Sequence, residues 1–118
     1  MVDLSIAPPV GAGMVRLCET CEVPEEGGLR IPLSGRGAIA VFRSGDRYYV
    51  TDDQCTHGGA SLSEGVIEDD EVECPFHLGR FCLRTGAVMR APCTDALKTY
   101  PAEVRDRHVY AALHSEAG

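Results

Sequence analysis

No run of apolar residues in this 118-residue sequence approaches the roughly 18–20 that a membrane-spanning helix requires. The first nine residues also lack the basic start and the apolar core of a secretory signal peptide. Internal repeats, linkers and low-complexity segments are missing as well. We therefore expect one cytoplasmic domain over residues 1–118, with no membrane contact and with a loose lead-in over residues 1–13.

Positive charge is scarce. The chain has 11 Lys and Arg against 18 Asp and Glu, which gives a formal net charge of −7. Because phosphate backbones repel such a surface, we expect no nucleic-acid partner. An acidic surface suits docking to a basic protein partner, or it serves only to keep the chain soluble, and the composition leaves both interpretations open.

Motifs typical of enzymes are also missing: the sequence has no catalytic triad, no phosphate-binding loop and no dinucleotide-binding fingerprint. Cysteine, in contrast, is present six times. Without a secretion signal, six cysteines favour metal binding and free thiols over a disulfide framework.

Short strands separated by turns dominate the sequence pattern. Hairpin turns are predicted at residues 44–46 and 106–107, and a single helical turn at residues 61–64. Many short strands at close spacing predict an all-β sandwich or barrel. Apolar and β-branched runs predict the strands at residues 15–18, 29–33, 38–42, 48–51, 71–73, 79–83, 98–103 and 108–113.

Two segments each carry one cysteine and one histidine. Cys55 and His57 lie in the first, and Cys74 and His77 lie in the second. Neighbouring Gly and Pro residues permit tight turns, and the sixteen residues between His57 and Cys74 leave room for a strand and its return. The pattern therefore predicts a metal site built by two loops.

The residue types alone leave the metal open. Two thiolates and two imidazoles also form a tetrahedral zinc site, so a zinc-binding structural module remains an alternative. Zinc fingers usually pair Cys with Cys and His with His, whereas here each loop mixes the two residue types.

The spacing C-x-H-x₁₆-C-x₂-H resembles the Rieske cluster signature. The run Cys-Thr-His-Gly-Gly-Ala-Ser-Leu-Ser-Glu-Gly that begins at Cys55, and the run Cys-Pro-Phe-His-Leu-Gly-Arg-Phe that begins at Cys74, resemble the stand-alone Rieske ferredoxins of bacterial aromatic ring-hydroxylating dioxygenases. Pro92 and residues 97–101 also fit, so the similarity covers about residues 15–113.

The resemblance implies one 2Fe–2S cluster, with Cys55 and Cys74 on one iron and His57 and His77 on the other. It also implies the Rieske fold, an antiparallel β-sandwich or barrel base with a small cluster-binding subdomain that is formed by two loops at roughly residues 53–92.

By the same resemblance the chain is a monomeric ferredoxin, not an enzyme. It shuttles single electrons from an NAD(P)H-dependent flavin reductase to the terminal oxygenase of an aromatic dioxygenase system. Transient docking would use the His57/His77 end, with Leu78 as an apolar contact or as an ordinary loop residue. A small Rieske subunit of a nitrite-reductase-like enzyme is the alternative.

High-potential Rieske proteins carry a disulfide between the two loops and Ser and Tyr hydroxyls that donate to the cluster. The corresponding positions here are Ala60, Phe76, Gly79 and Phe81, and none of them can supply either feature. Because each lost donor makes reduction harder, we expect a midpoint potential near the bottom of the Rieske range of about −150 to +300 mV.

The remaining cysteines lie outside this signature. Cys18 and Cys21 form a C-x-x-C, which we interpret as incidental thiols rather than a zinc knuckle or redox pair, while Cys82 and Cys93 are expected to pack as small apolar residues. The acidic residues 68–71 are interpreted as a solvated hairpin tip, with a docking patch as the alternative.

Overall fold

The computed structural model describes residues 13–25, 27–34, 36–56, 59–76, 78–91 and 95–113. Short 3₁₀ turns occupy Thr20–Glu22 and Leu62–Glu64. In the described residues, no helix is long and apolar enough to cross a membrane. The strands found there are β1 (Met14–Glu19), β2 (Gly28–Leu33), β3 (Arg36–Ser44), β4 (Arg47–Asp52), β5 (Val66–Glu68), β6 (Glu71–Glu73), β7 (Arg80–Cys82), β8 (Val88–Arg90), β9 (Thr99–Tyr100), β10 (Ala102–Arg105) and β11 (His108–Ala112).

The strands form three antiparallel sheets. Two of them, in the orders β9-β4-β3-β2 and β10-β11-β1, pack on each other and form the base of the molecule. The third, in the order β5-β6-β7-β8, packs against one face of the base and carries the segment that contains Cys74. The predicted all-β fold, an antiparallel base with a small second unit, is therefore confirmed.

Strand β3 joins the two units because both of its faces are buried. Ile39 and Val41 pack into the core between the base sheets, while Ala40 and Phe42 point the opposite way, toward the third sheet. Successive side chains of a strand alternate between its faces, so an unbroken apolar run fills two cores at once. Strand β3 therefore holds the third sheet against the base through its own side chains.

Most predicted strands and turns are confirmed within one or two residues. Gly45, Asp106 and Arg107 adopt positive φ in the predicted hairpin turns, and the turn at Leu62–Glu64 is present. The acidic residues 68–71 form the hairpin between β5 and β6, as expected.

One predicted strand is wrong, and two strands are additions to the prediction. The strand expected over residues 98–103 is divided at Pro101, which has no N–H to donate, and the two pieces join different sheets. The short strands β5 and β8 lie at the edges of the third sheet. Each has three residues and at most one fully buried side chain, so neither shows a clear apolar pattern.

Candidate metal centre

The first cysteine loop begins at the end of β4 and is closed by backbone hydrogen bonds. The amide of Cys55 donates to the carbonyl of Ala60 at 2.9 Å, and the amide of Leu62 donates to the carbonyl of Asp53 at 2.7 Å. An isolated antiparallel bridge joins Gln54 to Ser61 between these two bonds. The backbone therefore holds the Cys55 thiol at the base of a tight loop.

A buried carboxylate reinforces this closure. Oδ1 of Asp53 accepts the backbone amide of Ser63 at 2.9 Å, and Oδ2 accepts the hydroxyl of Ser61. Nε of the half-exposed Arg30 lies 3.4 Å from the same Oδ2. The sequence analysis did not identify Asp53 as part of the site. The sequence feature that indicates it is an acidic residue that directly follows a buried strand and precedes a cysteine by two positions.

The second loop joins β6 to β7. Glu73 and Arg80 are register partners at its base, and the loop of residues 74–79 lies between them. The amide of Cys74 donates to the carbonyl of Gly79 at 2.7 Å, and the amide of Leu78 donates back to the carbonyl of Cys74 at 3.1 Å. Leu78 has a φ of +63°, in the left-handed region that a leucine rarely adopts.

The two loops bring Cys55 and Cys74 into the same buried cluster. Each residue is only 1% exposed, and both are free cysteines. Burial raises the pKa of the Cys74 thiol above its ordinary value and the adjacent Cys55 adds to the rise, whereas the backbone amide of Phe76 donates to the sulfur and lowers it. Two buried thiols in one cluster, one of them accepting an N–H bond, fit a shared thiophilic metal or iron–sulfur centre.

The other two predicted ligands, His57 and His77, lie outside the described residues, as do Pro92 and Cys93. Phe76 and Leu78, which flank position 77, are both largely exposed. The described part of the site is therefore a pair of buried thiols, with two exposed apolar residues, Phe76 and Leu78, in the second loop.

The remaining described cysteines lie apart from this centre. Burial raises the pKa of the Cys18 thiol to about 11, with smaller contributions from Glu22 and Cys21. Cys21 itself is exposed, in the 3₁₀ turn that follows β1. Cys82 is buried as predicted, beside Glu71 on the neighbouring strand.

Comparison with known proteins identifies relatives over most of the chain. The family model described as "Rieske [2Fe-2S] domain" matches residues 13–101. The 3-phenylpropionate/cinnamic acid dioxygenase ferredoxin subunit of Photorhabdus laumondii is 42% identical over 101 residues, which span 85% of this chain and 94% of the relative. The subunit of the same name from Escherichia coli K12 is 45% identical over 97 residues, 81% of this chain and 90% of the relative.

Solved structures of similar fold cover most of this chain as well. A chain from a complex of reduced oxygenase and oxidised ferredoxin in carbazole 1,9a-dioxygenase superposes with a TM-score of 0.81 at 38% identity, covering 90% of this chain and 98% of that one. A structure described as a putative nitrite reductase small subunit superposes with a TM-score of 0.73 at 25% identity, covering 83% and 96%.

Proposed function

This chain belongs to the Rieske [2Fe-2S] domain family, and on that premise we propose that it is the ferredoxin component of an aromatic ring-hydroxylating dioxygenase system. Its cofactor is one Rieske-type 2Fe–2S cluster, which supplies reversible one-electron reduction. Relatives that match nearly their whole length are named ferredoxin subunits, so the chain is an electron carrier and not the catalytic component. The observation that carries the proposal is that two free thiols from separate loops, Cys55 and Cys74, are buried in the same cluster.

The proposed ligand set is Cys55, His57, Cys74 and His77. The buried thiols support the thiolate half, and the amide of Phe76 is placed to stabilise negative charge on the Cys74 sulfur. The imidazole half is supported by the spacing of the two histidines from these cysteines. Phe76 and Leu78, the sequence neighbours of position 77, are both exposed, which supports access of solvent or a partner to this loop.

We propose a low reduction potential. Ala60 is buried inside the first loop and Phe76 is exposed on the second, so neither position provides a bridge between the loops. Phe81 is fully buried and has no hydroxyl to donate. With fewer donors to its sulfurs, the cluster would keep more negative charge and accept an electron less readily.

The proposed direction of transfer is from an NAD(P)H-dependent flavin reductase to a terminal oxygenase. The carbazole 1,9a-dioxygenase structure, in which a ferredoxin accompanies an oxygenase, supports the oxygenase as partner. The reductase, the monomeric state and the cytoplasmic location stay predictions. NADH-driven reduction of the protein through a flavin reductase would test the reductase as partner. Light scattering on the protein eluted from a size-exclusion column would test the monomeric state.

The alternative, a small subunit of a nitrite-reductase-like enzyme, is less well supported. The nitrite reductase neighbour shares 25% identity with this chain, against 38% for the carbazole dioxygenase ferredoxin and 42% for the dioxygenase subunit from Photorhabdus laumondii.

Redox-titrated electron paramagnetic resonance on the dithionite-reduced protein tests the proposal. We expect a Rieske signal, with a mean g-value below that of all-Cys ferredoxins, and a midpoint near the low end of the Rieske range, about −150 mV. A midpoint well above zero would retain the cluster but contradict the dioxygenase shuttle. One zinc per chain, with no colour and no signal, would favour the zinc-binding module.

A further inference from the structure

An ion-pair network covers the outer face of the third sheet, and Arg80 is at its centre. Nε of Arg80 donates to Oε1 of Glu71 at 2.9 Å. Its Nη2 donates to the backbone carbonyl of Glu68 at 3.3 Å and lies 3.6 Å from Oε1 of that residue. Its Nη1 lies 3.7 Å from Oε2 of Glu73, and Nη1 of Arg90 lies 3.5 Å from the same oxygen.

This network lies at the base of the loop that carries Cys74. Glu73 directly precedes Cys74, and Arg80 directly follows Gly79, whose carbonyl closes the loop. Val72 and Phe81, which adjoin Glu73 and Arg80 along the two strands, point the other way into the core. The Arg80 guanidinium therefore joins the strand that enters the ligand loop to the strand that leaves it.

Arg80 is also unusually shielded for a charged residue. Its side chain is 13% exposed, whereas that of Arg90, at the edge of the same network, is 54% exposed. Hydrogen bonding to Glu71 raises the pKa of Arg80 above its already high ordinary value, so the guanidinium keeps its charge. A shielded charge is screened less by salt and water than an exposed one.

The charges in this network are not balanced. Three carboxylates face two guanidinium groups, which leaves one net negative charge beneath the loop. Without Arg80 the ion-pair network would carry two net negative charges. Reduction adds one negative charge to the cluster, so each negative charge beneath the loop disfavours the reduced state.

We propose that Arg80 is a positioning residue that holds the base of the second ligand loop and, by offsetting the carboxylates of Glu68, Glu71 and Glu73, favours the reduced cluster. This inference rests on the proposed function, because it requires a cluster held by the Cys74 loop. It assigns a role to a residue outside the ligand signature, on the face of the sheet that turns away from the thiols.

A cycle of charge substitutions separates the two roles. Arg80→Met removes the cation, and Glu71→Gln removes one carboxylate. The double variant Arg80→Met/Glu71→Gln restores the net charge of the wild-type network. Arg105→Met is the matched control, because Arg105 forms a 2.8 Å pair with Glu103 in the base sheet and its loss changes the total charge of the chain by the same amount.

The measurement is the midpoint potential of each holoprotein, taken from the electron paramagnetic resonance titration. For Arg80→Met we expect the ratio of reduced to oxidised cluster at a fixed potential to fall about threefold, or about 30 mV at 59 mV per tenfold change. Glu71→Gln should shift the potential upward, and the double variant should return close to wild type. Arg105→Met should shift it much less than Arg80→Met does.

Arg80→Lys tests the positioning role. Lysine keeps the charge but loses the planar fork that reaches several acceptors. We expect a potential close to wild type together with faster loss of cluster absorbance in denaturant. If Arg80→Met does not retain its cluster, Glu71→Gln still decides the electrostatic part of the inference.

An unchanged potential in Glu71→Gln, and in Arg80→Met where that variant retains its cluster, would overturn the inference and leave the proposed function intact. A wild-type protein without a Rieske signal would overturn both. A shift in Arg105→Met as large as that in Arg80→Met would also overturn the inference. The total charge of the chain, rather than the position of the lost charge, would then determine the midpoint potential.

Discussion

The backbone amide of Ser63 lies 2.9 Å from Oδ1 of Asp53, so a buried carboxylate two residues before Cys55 holds the 3₁₀ turn that follows the first ligand loop. The other oxygen of Asp53 accepts the Ser61 hydroxyl. Loss of this side chain would leave two half-buried donors without their acceptor in a segment that must hold a thiol in place.

We expect Asp53→Ala to lower the free energy of unfolding by about 1–3 kcal/mol and to accelerate loss of the cluster. Asp46→Ala, in the exposed turn between β3 and β4, is the control and should have little effect. Urea denaturation followed by circular dichroism and by cluster absorbance measures both quantities. Equal stability of the two variants would show that the Asp53 bonds do not support the loop.

A second prediction concerns Gly65, which packs against the base of the second loop. A Cβ atom added at Gly65 would lie 2.0 Å from the carbonyl oxygen of Glu73. We expect Gly65→Ala to cost about 2 kcal/mol or more, because the backbone must move to relieve the clash. At Gly37 an added Cβ meets nothing within 4 Å, so Gly37→Ala is the matched control. Similar unfolding midpoints for the two variants would contradict this packing.

Leu78 combines a left-handed backbone conformation with a side chain that is 53% exposed. A strained residue that buries little surface indicates a role outside stability, and we expect that role to be docking. Leu78→Gly relieves the strain, so its free energy of unfolding should stay within about 1 kcal/mol of wild type or rise slightly.

The same variant should raise the KM of the oxygenase for the ferredoxin while the midpoint potential stays unchanged. Val104→Gly, at another exposed apolar position but in a base strand, should lower stability and leave this KM unaffected. An unaltered KM for Leu78→Gly would exclude the docking role.

The proposed thiolate ligands can be separated from the other buried cysteines. Cys74→Ser should abolish the Rieske signal, or leave a cluster that is lost within one purification, because serine is a poor substitute for a thiolate. Cys82→Ser, at a cysteine buried in the same sheet, should keep both colour and signal. Iron and sulfide analysis of both variants provides the measurement, and a colourless Cys82→Ser protein would contradict the assignment.

The imidazole half of the ligand set has its own test. His57→Cys should retain a cluster at a markedly lower potential, because a thiolate adds negative charge where the imidazole was neutral. Potentiometric titration of this variant against wild type measures the shift, and an unchanged potential would show that His57 is not a ligand.

Stability at high pH should depend on Cys18. Its folded-state pKa of about 11 lies above the ordinary thiol value of 9.0, chiefly because of burial. Between these two values the unfolded chain loses its proton while the folded thiol keeps it, so the free energy of unfolding should fall as the pH rises from about 9 to 11. Below pH 9 this group has no effect.

Cys18→Ala removes the titrating thiol and isolates its contribution. Unfolding free energies of the wild type and the variant, measured every half pH unit, should converge as the pH rises above 9. A constant difference across that range would mean that the Cys18 thiol titrates normally in the folded protein.

Much of the architecture follows from local pattern. Residues 38–42 of β3 form an uninterrupted apolar run, and Gly45 and Asp106 occupy hairpin turns that their residue types favour. The metal centre was also accessible from spacing, since Cys55 and Cys74 each precede a histidine by two or three positions. Such features depend on neighbours along the chain, which is why a single sequence suffices to find them.

The sequence by itself determined which residue types could bind the cluster and that the chain would form short antiparallel strands. Only the tertiary structure decided that Glu73 and Arg80 are register partners, that Asp53 caps the first loop and that Leu78 takes a left-handed conformation. These relationships join residues whose pairing depends on how strands align and loops close. Strand register depends on the hydrophobic patterns of both strands together with the geometry of the loop that joins them, and that loop geometry is visible only in the folded structure.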